Sequence, residues 1–282
     1  MKKYINPISD IFVRYLLGSE ENKKLLLDFI NTILFDSGFE GAKDITLLNP
    51  FNLVSIANSK ESILDVKAVD SHNRIFNVEI QVLNDSRYAN RTLYYWAKLY
   101  SDQLEEGEKY KNLDPVICIN LLNFTIFPEL QRPHSCFLPI EKDSCDVVLS
   151  DQMQIHFFEL SKMDVKEQMI LHSRLEKWAY FFENEGIVGE DIMKKVLLTG
   201  DPVMEQAHKS YKKFTANDQY IELYNARIKA QRDEASRLDD ALEKGRKEAN
   251  LKTAIVMLSK GYDITEISDI TGLPSEQIEK LK

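Results

Sequence analysis

A chain of 282 residues with 44% hydrophobic content has room for one large α/β domain and a helical appendage, and its composition excludes a disordered protein. Its net charge of −9 argues against coating nucleic acid by bulk electrostatics, although a cleft needs only a local basic patch. The longest apolar runs are too short to span a bilayer and the first residues lack the apolar stretch of a signal peptide. A cytoplasmic protein without membrane contact is therefore expected, its cysteines Cys118, Cys136 and Cys145 reduced and structural.

In chain order, Asp10 to Leu17 and Glu20 to Phe35 read as helices broken at Gly18-Ser19. Ser19 is placed to cap the second, and Leu26, Phe29, Ile30, Ile33 and Leu34 keep helical spacing on one side. Ile45 to Ile56 reads as a strand pair or bulged strand interrupted at Asn49-Pro50. Ser62 to Asp70 and Arg74 to Val82 both alternate apolar and polar residues at period two, and Asp70-Ser71-His72-Asn73 reads as the hairpin turn between them. Asp65 and Lys67 then share a face of the first strand, and Glu79 and Gln81 a face of the second, while Leu64, Val66, Ala68, Val78, Ile80 and Val82 point the other way. Two carboxylates on paired strands can converge, and such oxygen donors suit a hard, six-coordinate Mg²⁺ that keeps positions for water and a phosphate.

A helix is predicted from Ser86 to Leu104. Its Arg87, Arg91 and Lys98, interleaved with Tyr88, Tyr94 and Tyr95, offer a basic, aromatic face to a phosphate backbone. The competing reading packs Leu93, Trp96, Tyr100 and Leu104 on the sheet and lets the arginines snorkel. Pro115 to Phe127 lacks alternation and is β-branched, as expected of a central strand buried on both faces, with further strands near Ser135 to Leu138, Val147 to Leu149 and Gln154 to Leu160. Beyond Leu160 the composition turns helical, with candidates at Asp164 to Asn184, Glu190 to Thr199 and a long mixed-charge stretch from Asp218 to about Ser259. That last stretch reads as a solvated helix laced by pairs four residues apart, and alternatively as a dimerising arm. Ala254 to the C-terminus resembles a helix-turn-helix, with Thr265 and Ser275 as caps and Gly272 at the turn. Its second helix is too short and too acidic for a groove reader and suits packing or interaction better. The five histidines, His72, His134, His156, His172 and His208, show no metal-ligand spacing and read as structural.

An aspartate on one strand followed by Glu-x-Gln on the next is similar to the PD-(D/E)XK nuclease superfamily. The ordered series Pro7-Ile8-Ser9-Asp10 with Gly18, Asn49-Pro50, Phe76-Asn77-Val78-Glu79-Ile80-Gln81, Arg91-Thr92-Leu93-Tyr94-Tyr95-Trp96 and Pro115-Val116-Ile117-Cys118-Ile119 resembles its Rpn branch, recombination-promoting nucleases also labelled transposases. The series covers roughly residues 5 to 160. The resemblance implies an α/β fold with a restriction-endonuclease-like mixed sheet flanked by helices over residues 1–160, a helical region over 161–250 and a small C-terminal element over 251–282. It also implies a Mg²⁺- or Mn²⁺-dependent DNA endonuclease, in which Asp65, Glu79 and the backbone carbonyl of Ile80 hold the metal and Asp10 assists.

Gln81 stands where the superfamily usually carries lysine. A glutamine can position water or phosphate by hydrogen bonds but cannot act as a base, which leaves water activation chiefly to the metal, with Lys67, on the same strand face as Asp65, as the candidate for the missing cation. Arg87, Arg91 and Lys67 are the expected nucleic-acid contacts, and the C-terminal helices are candidates for homodimer contact. The alternative function is a non-catalytic DNA-binding or regulatory protein that keeps the nuclease fold.

Overall fold

Apolar side chains on every side of Asp10–Gly18 (α1) leave no face for water, and the whole helix is buried. The computed structural model describes residues 4–52, 66–82, 87–163, 165 and 170–281. Arg14 lies inside this helix, only 3% exposed, and its guanidinium donates to the carbonyl of Asn49. Asn49 in turn accepts the amide of Lys67 on its side-chain oxygen at 2.7 Å, and the Gly18 carbonyl accepts the amide of Phe51 at 2.7 Å. A Cβ on Gly18 would collide with the Arg14 guanidinium, so glycine is what lets the arginine lie across the helix end. Gly18→Ala is therefore expected to cost about 1–3 kcal/mol by overpacking. A lowered urea midpoint with an unchanged slope is the measurement that checks it.

Ser19 does not cap the next helix. Its hydroxyl donates back to the Tyr15 carbonyl at 2.6 Å, and a 3₁₀ turn, Glu20–Asn22, precedes Lys23–Asp36 (α2). Then come Ile45–Leu47 (β1), Val66–Asp70 (β2) and Ile75–Gln81 (β3), a meander with antiparallel registers Thr46↔Val69 and Ala68↔Phe76. The expected turn holds. Asp70 accepts the amides of His72 and Arg74 and the Arg74 guanidinium at 2.7–2.9 Å, and Asn73 takes the left-handed conformation at φ 60°. Asp65, Leu64 and the part of the Ile45 to Ile56 stretch beyond Asn52 lie outside the described residues.

Tyr88–Ser101 (α3) crosses over to Val116–Leu122 (β4), which pairs parallel with β3. All seven β4 residues are buried, as its lack of alternation predicts. His134–Phe137 (β5) and Met153–Glu159 (β6) complete a six-stranded sheet of order β1-β2-β3-β4-β6-β5, parallel at its centre and antiparallel at both sides. Val147 to Leu149 makes only the isolated bridge Ile140↔Val148. With Val147 and Leu149 exposed, no core face rewards a strand there.

The helices between Arg174 and Ala216 add to the same core. The helix expected from Asp164 begins at Arg174 (α4, Arg174–Asn184), where Ser173 and Glu176 form a capping box. Glu190–Met193 (α5) runs into a π turn at Lys194–Leu198, and Pro202–Ala216 (α6), which the sequence reading passed over, starts at an Asp201 cap. Met204, Tyr211 and Phe214 of α6 share a hydrophobic cluster with α1, α2 and α4 and with Val66, Ala68, Phe76, Val78 and Ile80, on one face of the sheet. A second cluster, built on Tyr88, Trp96, Val116, Cys118 and Phe157, fills the face under α3.

Asp201 joins α4 to α6. It accepts from Arg174 and, at 2.8 Å, from Lys177, besides capping Met204 at 3.2 Å. Burial opposes its charge, but Lys177, the Met204 amide and Arg174 together hold its carboxyl below the ordinary 3.8. A carboxylate depressed in this way contributes stability at pH values above 3.8 that fades as the pH falls below it. Asp201→Asn, which keeps a capping oxygen, is expected to flatten acid unfolding in that window and to cost at most about 1 kcal/mol at neutral pH, because the pairs are partly solvated. Urea titrations at several pH values measure both effects.

The described chain divides into two compact units, Met1–Tyr224 and Asn225–Lys282. Asp218–Ser259 (α7) is one helix of 42 residues, exposed on all sides between Arg232 and Ala249, with Glu234–Arg237 and Glu243–Lys247 pairs as a solvated helix requires. The second unit has its own small core of Ala254, Met257, Ile267, Leu273 and Ile278. In it Ile264–Thr271 (α8) is capped by Asp263 with Glu266 rather than by Thr265. Gly272 closes the helix at φ 68°, and Ser275 opens Ser275–Glu279 (α9) without capping it. No helix among the described residues is long and apolar enough to cross a membrane.

Candidate functional site

Period two along β3 sends Phe76, Val78 and Ile80 into the first core and Glu79 and Gln81 to the opposite face, where α3 passes over them. From α3, Arg91 Nη2 donates both to Glu79 Oε1 and, at 3.2 Å, to Gln81 Oε1. One guanidinium thus bridges the two residues. It lies 4.9 Å from the centroid of the Tyr88 ring and 6.0 Å from that of Tyr95, against π faces that favour a cation. Burial works against the arginine's charge, yet the Glu79 carboxylate, by charge and by hydrogen bond, raises its pKa above the ordinary value.

Beneath this pair lies a buried polar floor. Asn120, the β4 register partner of Glu79, accepts from Tyr88 Oη at 2.9 Å and Thr92 Oγ1 at 3.2 Å, and donates to the His156 carbonyl at 2.9 Å. Burial, and after it the Glu79 charge, push the Tyr88 phenol well above its usual range, so it stays a neutral donor. The sequence reading missed Asn120 and Thr92 as polar partners here, and put Tyr88 on a basic, aromatic face toward phosphate rather than on this floor. The one legible signal was Asn120 itself, an amide between Ile119 and Leu121 in an apolar strand, which must find partners. Missed as well was the Arg14–Asn49 contact, which ties α1 to the segment leading into β2.

Of the expected site residues, Glu79, Gln81 and Arg91 meet directly. Lys67, opposite Asn77 on β2, shares their face, and Arg87 stands exposed at the start of α3, one turn before Arg91. The Ile80 side chain is buried in the first core, on the face of the sheet opposite theirs. Asp10 opens α1, 5% exposed, its Oδ1 accepting the Ile11 amide at 2.8 Å, on a helix that packs in the first core. Asp65 lies outside the described residues, and among those described no three His, Cys, Asp or Glu side chains are grouped to hold a metal. Leu93, expected to face the sheet, is 47% exposed. Tyr88, Thr92, Trp96 and Leu99 set the phase of α3, and Leu93 falls outside that stripe.

No curated protein and no solved structure matches the chain. Residues 7–241 match the family model described as PD-(D/E)XK nuclease family transposase, a family of nuclease type that generally uses divalent metal ions. That span takes in α1, the whole sheet and the Glu79–Gln81–Arg91 site, and on it the chain belongs to the PD-(D/E)XK nuclease family transposases.

Proposed function

We propose that this protein is a Mg²⁺- or Mn²⁺-dependent DNA endonuclease acting in recombination or on mobile elements. The observation that carries this reading is the pairing of Glu79 and Gln81 on one face of β3 under a shared guanidinium. The donors there are oxygens, and Glu79 already draws a cation onto itself in a half-buried setting, as a hard-ion site should. Asp65 is joined to Val66, whose register partner Val78 adjoins Glu79, so chain connectivity supports a shared ion held by Asp65, Glu79 and the Ile80 carbonyl. Such an ion would supply Lewis-acid activation of water and neutralise phosphate charge.

The chain's own residues do the rest. Water attacks phosphorus in line as the bond to the leaving oxygen breaks, and Gln81 orients that water or a phosphate oxygen without taking a proton. Arg91, Arg87 and Lys67, on or beside the same face, offer cations to the DNA backbone, and Asp10 supports the site from α1. Cleavage of supercoiled plasmid by the purified chain in Mg²⁺ or Mn²⁺, lost on chelation, is the expected result.

The second reading, a non-catalytic DNA-binding protein, is favoured by Gln81 in the lysine slot and by Arg91 already occupying Glu79. Salt-sensitive DNA binding with no cleavage in either metal would select it. Homodimerisation through α7 to α9 belongs to this proposal too, and sedimentation against concentration tests it.

A further inference from the structure

Strand pairing brings together, on the sheet face opposite Glu79, residues that sequence spacing keeps apart. Cys136 of β5 and His156 of β6 are register partners, with Sγ and Nε2 3.8 Å apart. Gln154 Oε1, two residues along the same strand, lies 3.3 Å from that same Nε2. The other ring nitrogen, His156 Nδ1, is 3.1 Å from His134 Nε2, and His134 Nδ1 is 2.6 Å from Asp36 Oδ2. The two rings stack at 20°, and Phe39 stands edge-on to His156. His156 is fully buried, whereas Asp36, His134 and Cys136 line a cavity of ≈590 Å³ with Ser37, Arg132 and Glu176 on its wall.

Hydrogen bonds donated in one direction along this chain, His156 Nδ1–H to His134 Nε2 and His134 Nδ1–H to the Asp36 carboxylate, leave the lone pair of His156 on Nε2. The Cys136 sulfur and the Gln154 oxygen then both approach that nitrogen as electron-pair donors. Around a tetrahedral Zn²⁺ with ordinary bond lengths the S···N edge is ~3.6 Å and the N···O edge ~3.4 Å, close to the 3.8 and 3.3 Å observed.

We infer that Cys136, His156 and Gln154 form a Zn²⁺ site, with His134 and Asp36 as positioning residues behind the imidazole and the cavity as entry path and source of a fourth ligand, water. The carboxylate-to-imidazole backing fixes ring orientation and tautomer in the way that outer partners of metal-bound histidines do, here through a second ring. Burial keeps His156 neutral, its pKa pushed down to about 3, so protons do not compete for the ring nitrogen. Burial likewise raises the Cys136 thiol to about 11, so ion binding must release its proton, one H⁺ per Zn²⁺ bound as the sulfur–metal bond forms. Cys145, exposed and donating to the Lys142 carbonyl at 3.6 Å, serves as an internal control.

Titration of the full chain with Co²⁺, in excess Mg²⁺ to occupy oxygen-only sites, is expected to give tetrahedral visible bands and a thiolate-to-cobalt charge-transfer band, both displaced by Zn²⁺. The charge-transfer band should vanish in Cys136→Ser and persist in Cys145→Ser, and His134→Asn should weaken binding by about 10–100-fold while keeping the band. Because a variant can lose its fold, a second measurement uses the wild type alone: Zn²⁺ should slow alkylation of Cys136, mapped by mass spectrometry, and leave Cys145 unprotected. No charge-transfer band in the wild type, a band that survives Cys136→Ser, or equal alkylation of Cys136 with and without Zn²⁺ would each overturn the site.

Discussion

Supercoiled plasmid incubated with the Glu79→Ala variant in Mg²⁺ is expected to remain intact over times in which the wild type nicks it, with a rate loss above ~100-fold, the upper end for partners merely behind a metal ligand. The reason is chemical. With glutamine in the neighbouring slot no side chain on β3 besides Glu79 can take a proton, and removing the Glu79 oxygens also takes away the hold on the ion that activates water. Asp65→Ala should behave in the same way, and the double variant should lose little more than either single one, because the two residues act as a unit. Glu79 is half-buried beside Arg91, so its removal also takes the carboxylate from a guanidinium that still meets Gln81 and the tyrosine rings. Urea unfolding of each variant must therefore accompany the assay. A folded Glu79→Ala protein that still nicks DNA in Mg²⁺ would end the nuclease assignment of this site.

The hairpin was legible because one of its faces is buried. A strict alternation then fixes which residues go in, and register follows from the Asp70–Asn73 turn. β4 was legible for the opposite reason, since helices cover both its faces and all seven residues are buried, six of them apolar and Asn120 the exception. Signals carried by composition alone misled. Val147 to Leu149 is β-branched and apolar but meets no core, and Leu93 belongs to an apolar-looking helix whose phase is set by Tyr88, Thr92 and Trp96. What sequence could not show were contacts made by long polar side chains across elements. Arg91 was read as a phosphate contact and found on Glu79 and Gln81. Arg14, inside an otherwise apolar helix, was passed over and found spanning to Asn49. Spacing alone also made His134 and His156 look unrelated, because antiparallel pairing of β5 with β6 joins residues more than twenty positions apart.

Arg91 supplies the sharper test of how the site works. With Glu79 as metal ligand, the guanidinium and the ion compete for the same carboxylate oxygen, so Arg91→Met should lower the Mg²⁺ concentration for half-maximal cleavage, by about tenfold for each 1.4 kcal/mol of pairing removed. The pair is 36% and 13% exposed at its two side chains, so the pairing energy is discounted for solvent and about 1–2 kcal/mol is a reasonable scale. The same change removes the Arg91 guanidinium from Glu79 in the metal-free protein, which should then melt earlier and gain more from added Mg²⁺ than the wild type does, since an ion that binds only the folded state stabilises it by mass action. Arg91→Lys is not a conservative control, because an ammonium lacks the planar guanidinium that lies over Tyr88 and Tyr95. If Arg91 instead serves the DNA backbone, Arg91→Met leaves the Mg²⁺ requirement where it was, weakens DNA binding uniformly across sequences and reduces the salt slope by about one. The two outcomes separate on a single pair of titrations, metal at saturating DNA and DNA at saturating metal. An unchanged metal requirement rejects the competition between Arg91 and the ion.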